Sequence, residues 1–314
     1  MPKIHPLPIL ILLIFSIFLI AIGSQFKKET PLTENFFIGA KNVIDEIVQG
    51  EDGHQKFFAE KTQNLPEKYA IYIKDLKSQK VYELNSKEIF PAASIYKLAV
   101  MYTAYDRLEK GTLSKKDTLS ASQQELDIIL SPEEDPDEGN PLPTPTPDPN
   151  QEQTEISNPV AEALRLMITI SDNYSAILLA QKLGWENIDK YMEEEGLPEI
   201  DLVSEGSPFI SAETAGRLLE KIYSHQAVSF QASEEMLQLL SSQKINDRIP
   251  KYLPPDTKVA HKTGEIENVR NDAGIVYGKK SDYIFVFLSQ TDEPLDAAET
   301  IANLSRDFYK ELEK

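Results

Sequence analysis

The chain has 314 residues, 41% of them hydrophobic, with 13 Tyr and 13 Phe, enough for one large core or two smaller ones. Its 32 Lys and Arg against 51 Asp and Glu give a formal charge of −19, which argues against a nucleic-acid partner, since phosphate binding needs basic patches. With no cysteine and four scattered histidines (His5, His54, His225, His261), disulfides, thiolate nucleophiles and cysteine-based zinc sites are excluded, and no metal or cofactor is expected.

The N-terminus carries Lys3 and then an apolar run over residues 7–23, "LPILILLIFSIFLIAIG". That length is the short limit for a spanning helix and slightly long for a signal-peptide core. The run is read as a retained membrane anchor, with a cleaved signal ending near Ala21 and Gly23 as the alternative. Either reading places the rest of the chain in an extracytoplasmic compartment. A polar tether follows, so residues 1–33 stand apart from a domain over 34–314.

Phe36, Phe37, Val43, Ile44 and Ile47 mark one face of a helix over about 35–59. The period then changes to two through Tyr69, Ile71 and Ile73, turns at 76–79 and returns through Val81 to Leu84, which predicts a β-hairpin. "FPAASIYKLAVMY" (90–102) follows directly and reads as an apolar helix. From Leu98 to about Leu240 the pattern is mostly helical, with a polar break at Ser171–Asn173 and a helix start at Ser211, which has Glu213 or Thr214 to complete a capping box. Residues 131–155 interrupt this block with seven prolines, eight acidic residues and no Lys or Arg. Such a segment cannot bury apolar surface and is predicted to be a disordered or extended surface insertion. Strands return at 257–263, 272–277 and 282–290, the last two turning through Gly278, Lys279 and Lys280. Ile301, Leu304, Phe308 and Leu312 give a closing helix its apolar stripe.

Strands at both ends with helices between predict an α+β fold. The first and last strands join one antiparallel sheet flanked by helices, and an all-helical subdomain is inserted, leaving a cleft between two lobes.

Ser-x-x-Lys occurs three times, as Ser24/Lys27, Ser94/Lys97 and Ser241/Lys244. The first lies in the tether and the third at a polar helix end; only Ser94 follows a hairpin and begins an apolar helix. Ser171-Asp172-Asn173 and Lys262-Thr263-Gly264 occur once each, in that order. With this trio, its strand order, the "FPAAS" lead-in, the "SAETAGRLL" helix and the final helix, the chain from about Tyr69 onward resembles the class A β-lactamase family of penicillin-recognising serine hydrolases.

The residue types suit acyl transfer. A serine hydroxyl needs a base in hydrogen-bond reach, and Lys97 lies one helical turn from Ser94. Lys97 can serve if burial or a nearby cation such as Lys262 depresses its pKa. The N–H of Ser94, near a helix N-terminus, supplies one oxyanion donor. The resemblance implies the second, the N–H of Glu265. It also implies that Lys262 and Thr263 bind a substrate carboxylate and that Ser171 relays a proton to the leaving nitrogen. Asn173 would hold Lys97 and a substrate amide, Asp172 would fix its loop, and Gly264 would let substrate approach the strand closely. Arg270 is either a second carboxylate anchor or a solvated surface arginine. The Glu265 carboxylate would repel an anionic substrate unless Arg270 or Lys262 neutralises it. His261 is expected to point away from the cleft.

One family feature is missing. Class A enzymes carry a Glu-x-x-Leu-Asn loop whose glutamate activates the deacylating water. The matching stretch here, "GLPEIDLVSEGSPFISAET", lacks it. Glu205 is the nearest substitute base and Glu199 another, and each also reads as an ordinary loop carboxylate. Three functions therefore stay open. The first is β-lactam hydrolysis through acyl-Ser94. The second is a D-alanyl-D-alanine carboxypeptidase or transpeptidase acting on peptidoglycan. The third is a slowly deacylating β-lactam-binding sensor. The partner is a β-lactam or a D-Ala-D-Ala peptide, with the membrane engaged through residues 7–23.

Overall fold

In the computed structural model, which describes residues 53–65, 68–130, 154–203 and 208–314, the period-two stretches become strands. The segment 7–23, the tether, most of the first expected helix, Glu205 and residues 131–153 lie outside the described residues. The unit over 57–314 holds the fold described here.

Helix α1 (Gly53–Thr62) precedes the hairpin β1 (Tyr69–Asp75) and β2 (Val81–Leu84). Strand β3 (Ile89–Pro91) leads through a 3-10 turn (Ala93–Tyr96) into α2 (Lys97–Glu109). Next come β4 (Thr118–Ser122), α3 (Gln123–Leu130), β5 (Glu155–Pro159), α4 (Val160–Thr169), α5 (Asn173–Leu183) and α6 (Trp185–Glu194). Short strands β6 (Ile200–Asp201) and β7 (Phe209–Ser211) precede α7 (Ala212–Tyr223) and α8 (Phe230–Ser241). The chain closes with β8 (Val259–Ile266), β9 (Val269–Val276), β10 (Tyr283–Ser289) and α9 (Pro294–Leu312).

The main sheet runs β2–β1–β10–β9–β8, antiparallel throughout, so the first hairpin and the last three strands do share one sheet. Alternation assigns its two faces. Ile71, Ile73, Phe285 and Phe287 pack with Ile301, Leu304 and Phe308 of α9. Ala70, Tyr72, Ile284, Val286 and Leu288 face the core of the helical subdomain. At the centre of that subdomain is α2, buried continuously from Lys97 to Asp106. A helix buried on every side has no freedom to roll, so Lys97 at its start is held in a fixed place.

Two expected boundaries move. The apolar helix begins at Lys97, not near Phe90: Phe90 pairs with Ile210 across β3–β7, and the chain then passes through the 3-10 turn. Thr154 and Glu155, expected in the acidic insertion, pair with the chain around β4 instead. Gln123 N donates to Thr154 O at 2.8 Å, and Glu155 pairs with Ser122 at the end of the β4–β5 ladder. That ladder is held by backbone pairing, and its side chains are mostly exposed or half-buried. Among the described residues no helix is long and apolar enough to cross a membrane.

Candidate active site

The site starts from the turn between β3 and α2. Ala93 has φ +44°, a left-handed conformation uncommon for a residue with a Cβ and costing on the order of 1–3 kcal/mol. Surrounding structure holds it there. Ala92 N donates to Pro208 O at 2.7 Å. The buried Asn271 side chain donates to Pro91 O at 2.9 Å and Ala92 O at 3.3 Å, while its Oδ1 accepts from Ser289 N at 2.8 Å. The sheet thus grips the lead-in to Ser94. Residues three apart eclipse in a 3-10 turn, which puts Ser94 and Lys97 on one side.

Gly264 completes that grip. A Cβ there would lie 2.8 Å from Ala92 O and 3.0 Å from Ile95 Cγ1. The glycine lets β8 approach the turn that carries Ser94, and backbone cannot yield as a side-chain tip can. Gly264→Ala is therefore expected to cost about 1–3 kcal/mol through overpacking. A thermal melt would show this as a lowered midpoint, and an unchanged melt would refute the packing role.

The polar groups then converge. Lys97 Nζ donates to Ser171 O at 2.7 Å, Asn173 Oδ1 at 2.7 Å and Ser171 Oγ at 3.3 Å. Lys262 Nζ donates to Ser171 Oγ at 2.9 Å and Thr263 O at 2.7 Å. One hydroxyl thus stands between two amino groups. Ser171 also has a left-handed backbone, φ +61°. Asp172 caps α5 by accepting from Ser175 N at 2.7 Å, the loop-fixing part expected of it.

Burial governs the charge here. It pushes Lys97 down to about 7, opposed by the nearby Asp172 carboxylate. Lys262 lies well below its usual value, through burial first and then repulsion from Lys97 and Arg248, with Asp272 opposing. Both side chains are fully buried, and a buried ammonium without full compensation loses its proton readily.

The third cluster is anionic at its centre. Register on β8–β9 pairs Glu265 with Arg270, and Arg270 Nη2 lies 3.2 Å from Glu265 Oε1. Arg270 Nη1 donates to Ile266 O at 2.7 Å and Val269 O at 2.8 Å, so it is not a free surface arginine. Arg248 is a residue that sequence reasoning missed. Fully buried, it donates from Nη2 to Glu265 Oε2 at 2.5 Å. Its loop is tied down by Ile249 N donating to Asp272 Oδ2 at 3.0 Å and by Ser305 Oγ donating to Ile249 O at 2.9 Å. Asp272 Oδ1 also meets His261 Nδ1 at 2.9 Å, on the strand face opposite Lys262. A lone arginine amid the apolar and proline residues of 248–254 was the available signal, but it does not say where the loop lands.

Of the two candidate deacylation bases, Glu205 lies outside the described residues, and Glu199 accepts from Thr214 Oγ1 at 2.5 Å. Among the described residues no group of three or more His, Asp or Glu could hold a metal ion.

A helical lobe set against an antiparallel sheet, with the polar cluster gathered beside the 3-10 turn that packs on β8, is the architecture of β-lactamase-type hydrolases. The chain belongs to the beta-lactamase enzyme family, whose sequence profile matches residues 55–312. No curated protein sequence matches it. Among solved structures, PBP-A superposes with a TM-score of 0.70 at 22% identity, over 84% of this chain and 97% of that one. A mutant of PBP-A, described as an acyl-enzyme complex with penicillin G, gives 0.68 at 23%, over 82% and 96%. A beta-lactamase from Chitinophaga pinensis gives 0.68 at 20%, over 83% and 99%. At these identities the likenesses establish the fold.

Proposed function

We propose that this hydrolase opens β-lactams through an acyl-Ser94 intermediate. Neutral Lys97 takes the Ser94 proton as Oγ bonds to the carbonyl carbon. The N–H groups of Ser94 and Glu265 receive the oxyanion. As the C–N bond breaks, the nitrogen takes the Ser171 proton, which Lys97 or Lys262 replaces across the bonds already in place. Asn173 fixes Lys97, and Lys262 and Thr263 form the anchor for a substrate anion, with Arg270 and Arg248 beside them engaged by Glu265. The observation that carries this reading is the Ser171 hydroxyl held between two buried lysines, at 3.3 Å from Lys97 Nζ and 2.9 Å from Lys262 Nζ.

A second reading is favoured by the sequence between Gly196 and Thr214, which lacks the Glu-x-x-Leu-Asn of the resembling enzymes. Without a placed water activator, the acyl group persists, as in a D-alanyl-D-alanine peptidase or a β-lactam sensor. In each case residues 7–23 tether or export the domain, which acts outside the cytoplasm on a β-lactam or a cell-wall peptide.

The full chain, purified in detergent, is mixed with a chromogenic cephalosporin. Absorbance, intact mass and peptide mapping are then followed. Continuous turnover through an adduct on Ser94 is the expected result. A stoichiometric Ser94 adduct without turnover selects the second reading, and D-Ala release from a pentapeptide then separates peptidase from sensor. An adduct on another residue, or no adduct and no turnover, sinks both.

A further inference from the structure

Glu265 stands where the anchor for a substrate anion is expected, and it is already paired. Strand β8 is the edge of the main sheet among the described residues. Alternation along it places Thr263 and Glu265 on one face, with Lys262 and Gly264 on the other. Arg270 shares the Glu265 face as its cross-strand partner, and Arg248 reaches the same carboxylate from the connection between α8 and β8. Each guanidinium takes one oxygen, Arg248 at 2.5 Å and Arg270 at 3.2 Å.

The two sides of this pairing differ in burial. The Arg248 side chain is 0% exposed and that of Glu265 is 54% exposed. Arg248 Nε and Nη1 find no hydrogen-bond partner among the described residues, and Asp247 Oδ1 stands off at 3.5 Å. A buried guanidinium needs an anion beside it, and Glu265 is the one in direct contact. An incoming carboxylate must displace it or bind against its charge. A neutral acyl donor has no such competitor.

We propose that Glu265 is a specificity-determining residue: its carboxylate occupies the Arg248–Arg270 pair and turns the site toward acyl donors that lack a carboxylate beside the scissile amide. This rests on the acyl-Ser94 reading. The reaction itself is unchanged, with the Ser94 Oγ–C bond formed, the amide C–N bond broken and the serine proton passed to the leaving nitrogen.

The test uses a matched pair, benzylpenicillin and its methyl ester, which differ in that one charge. Ser94 acylation by each is timed by intact mass in the wild type, Glu265→Gln and Glu265→Ser, all checked for folding by thermal melt. The acid-to-ester ratio of rate constants is expected to rise at least about tenfold in the folded variants, the scale of removing a like charge from a partly desolvated site. A ratio within about twofold of wild type in both variants, with Ser94 still acylated, overturns the proposal alone. Failure of both probes to acylate Ser94 in every protein overturns the acyl-enzyme reading, and this inference with it.

Discussion

Lys97→Met is expected to slow acylation of Ser94 by about 10²–10⁴-fold, the usual worth of a positioned general base. Methionine fills much of the same volume, so the buried start of α2 keeps its packing. Only the amine is lost, with its bonds to Ser171 and Asn173. In the wild type the base form of Lys97 fills in as pH rises through about 7, so the acylation rate is expected to climb from acid to neutral pH with its midpoint near 7. A profile flat across that range would remove Lys97 from the role of base.

The same lysines leave a mark on stability, and its sign is fixed. Lys97 binds its proton more weakly in the folded chain than in the unfolded one, so between about 7 and the usual lysine value the unfolded chain holds more protons. Stability then rises with pH across that window, and the penalty is fully present below it. Lys262, also depressed, acts in the same direction. Tyr72 and Tyr223, both pushed up to about 12 by burial, act oppositely once unfolded tyrosines ionise near pH 10. The wild type should therefore gain stability between pH 7 and about 9, and Lys97→Met should gain less. Denaturant midpoints measured across that range decide the matter.

The sheet was legible because the first hairpin shows a period of two through Tyr69, Ile71 and Ile73, and the last strands are short β-rich apolar runs parted by turn residues. The candidate cluster was legible for a different reason. Ser94 with Lys97, and Ser171 with Asn173, each lie within a turn or a tripeptide, and the order of the three motifs together with the family resemblance brought the distant pairs into one site. What escaped depends on contacts between distant segments. The left-handed Ala93 and the 3-10 turn follow from Asn271 and Gly264 pressing on the lead-in, from about 180 residues further on. Gly264 was correctly singled out, but the neighbour it accommodates lies in another part of the chain. The β4–β5 ladder is closed across the acidic insertion and buries little apolar surface, so no periodicity announced it. For Glu265, sequence raised the right electrostatic question and could offer Arg270 in answer. Arg248 sits in a loop whose path is set by Asp272, and no local pattern records that.

Asp272 ties the loop that carries Arg248 to the sheet. Its side chain is fully buried on β9, opposite Thr263 of β8. One oxygen accepts from Ile249 N and the other meets His261 Nδ1. Asp272→Ala would leave Ile249 N–H and the His261 ring buried without these partners, at about 1–3 kcal/mol for each unmade bond. For a domain of this size that corresponds to a fall in melting temperature of roughly 5–15 °C. Asp272→Asn separates shape from chemistry. It fills the same space without the charge: its amide oxygen can still accept from Ile249 N, while its amide nitrogen meets His261 only where Nδ1 accepts, so both contacts weaken from charge-assisted to neutral ones. It should melt between the wild type and the alanine variant. The loss should also reach function, because Ile249 adjoins Arg248. With that loop released, the hold of Arg248 on Glu265 loosens, and the acid-to-ester ratio for benzylpenicillin should shift in Asp272→Asn even at temperatures where the protein is fully folded. Melting within about 2 °C of wild type in both variants would mean that these buried bonds carry far less than their geometry implies. A lowered melting point with an unshifted ratio would confine Asp272 to folding and detach it from the anchor.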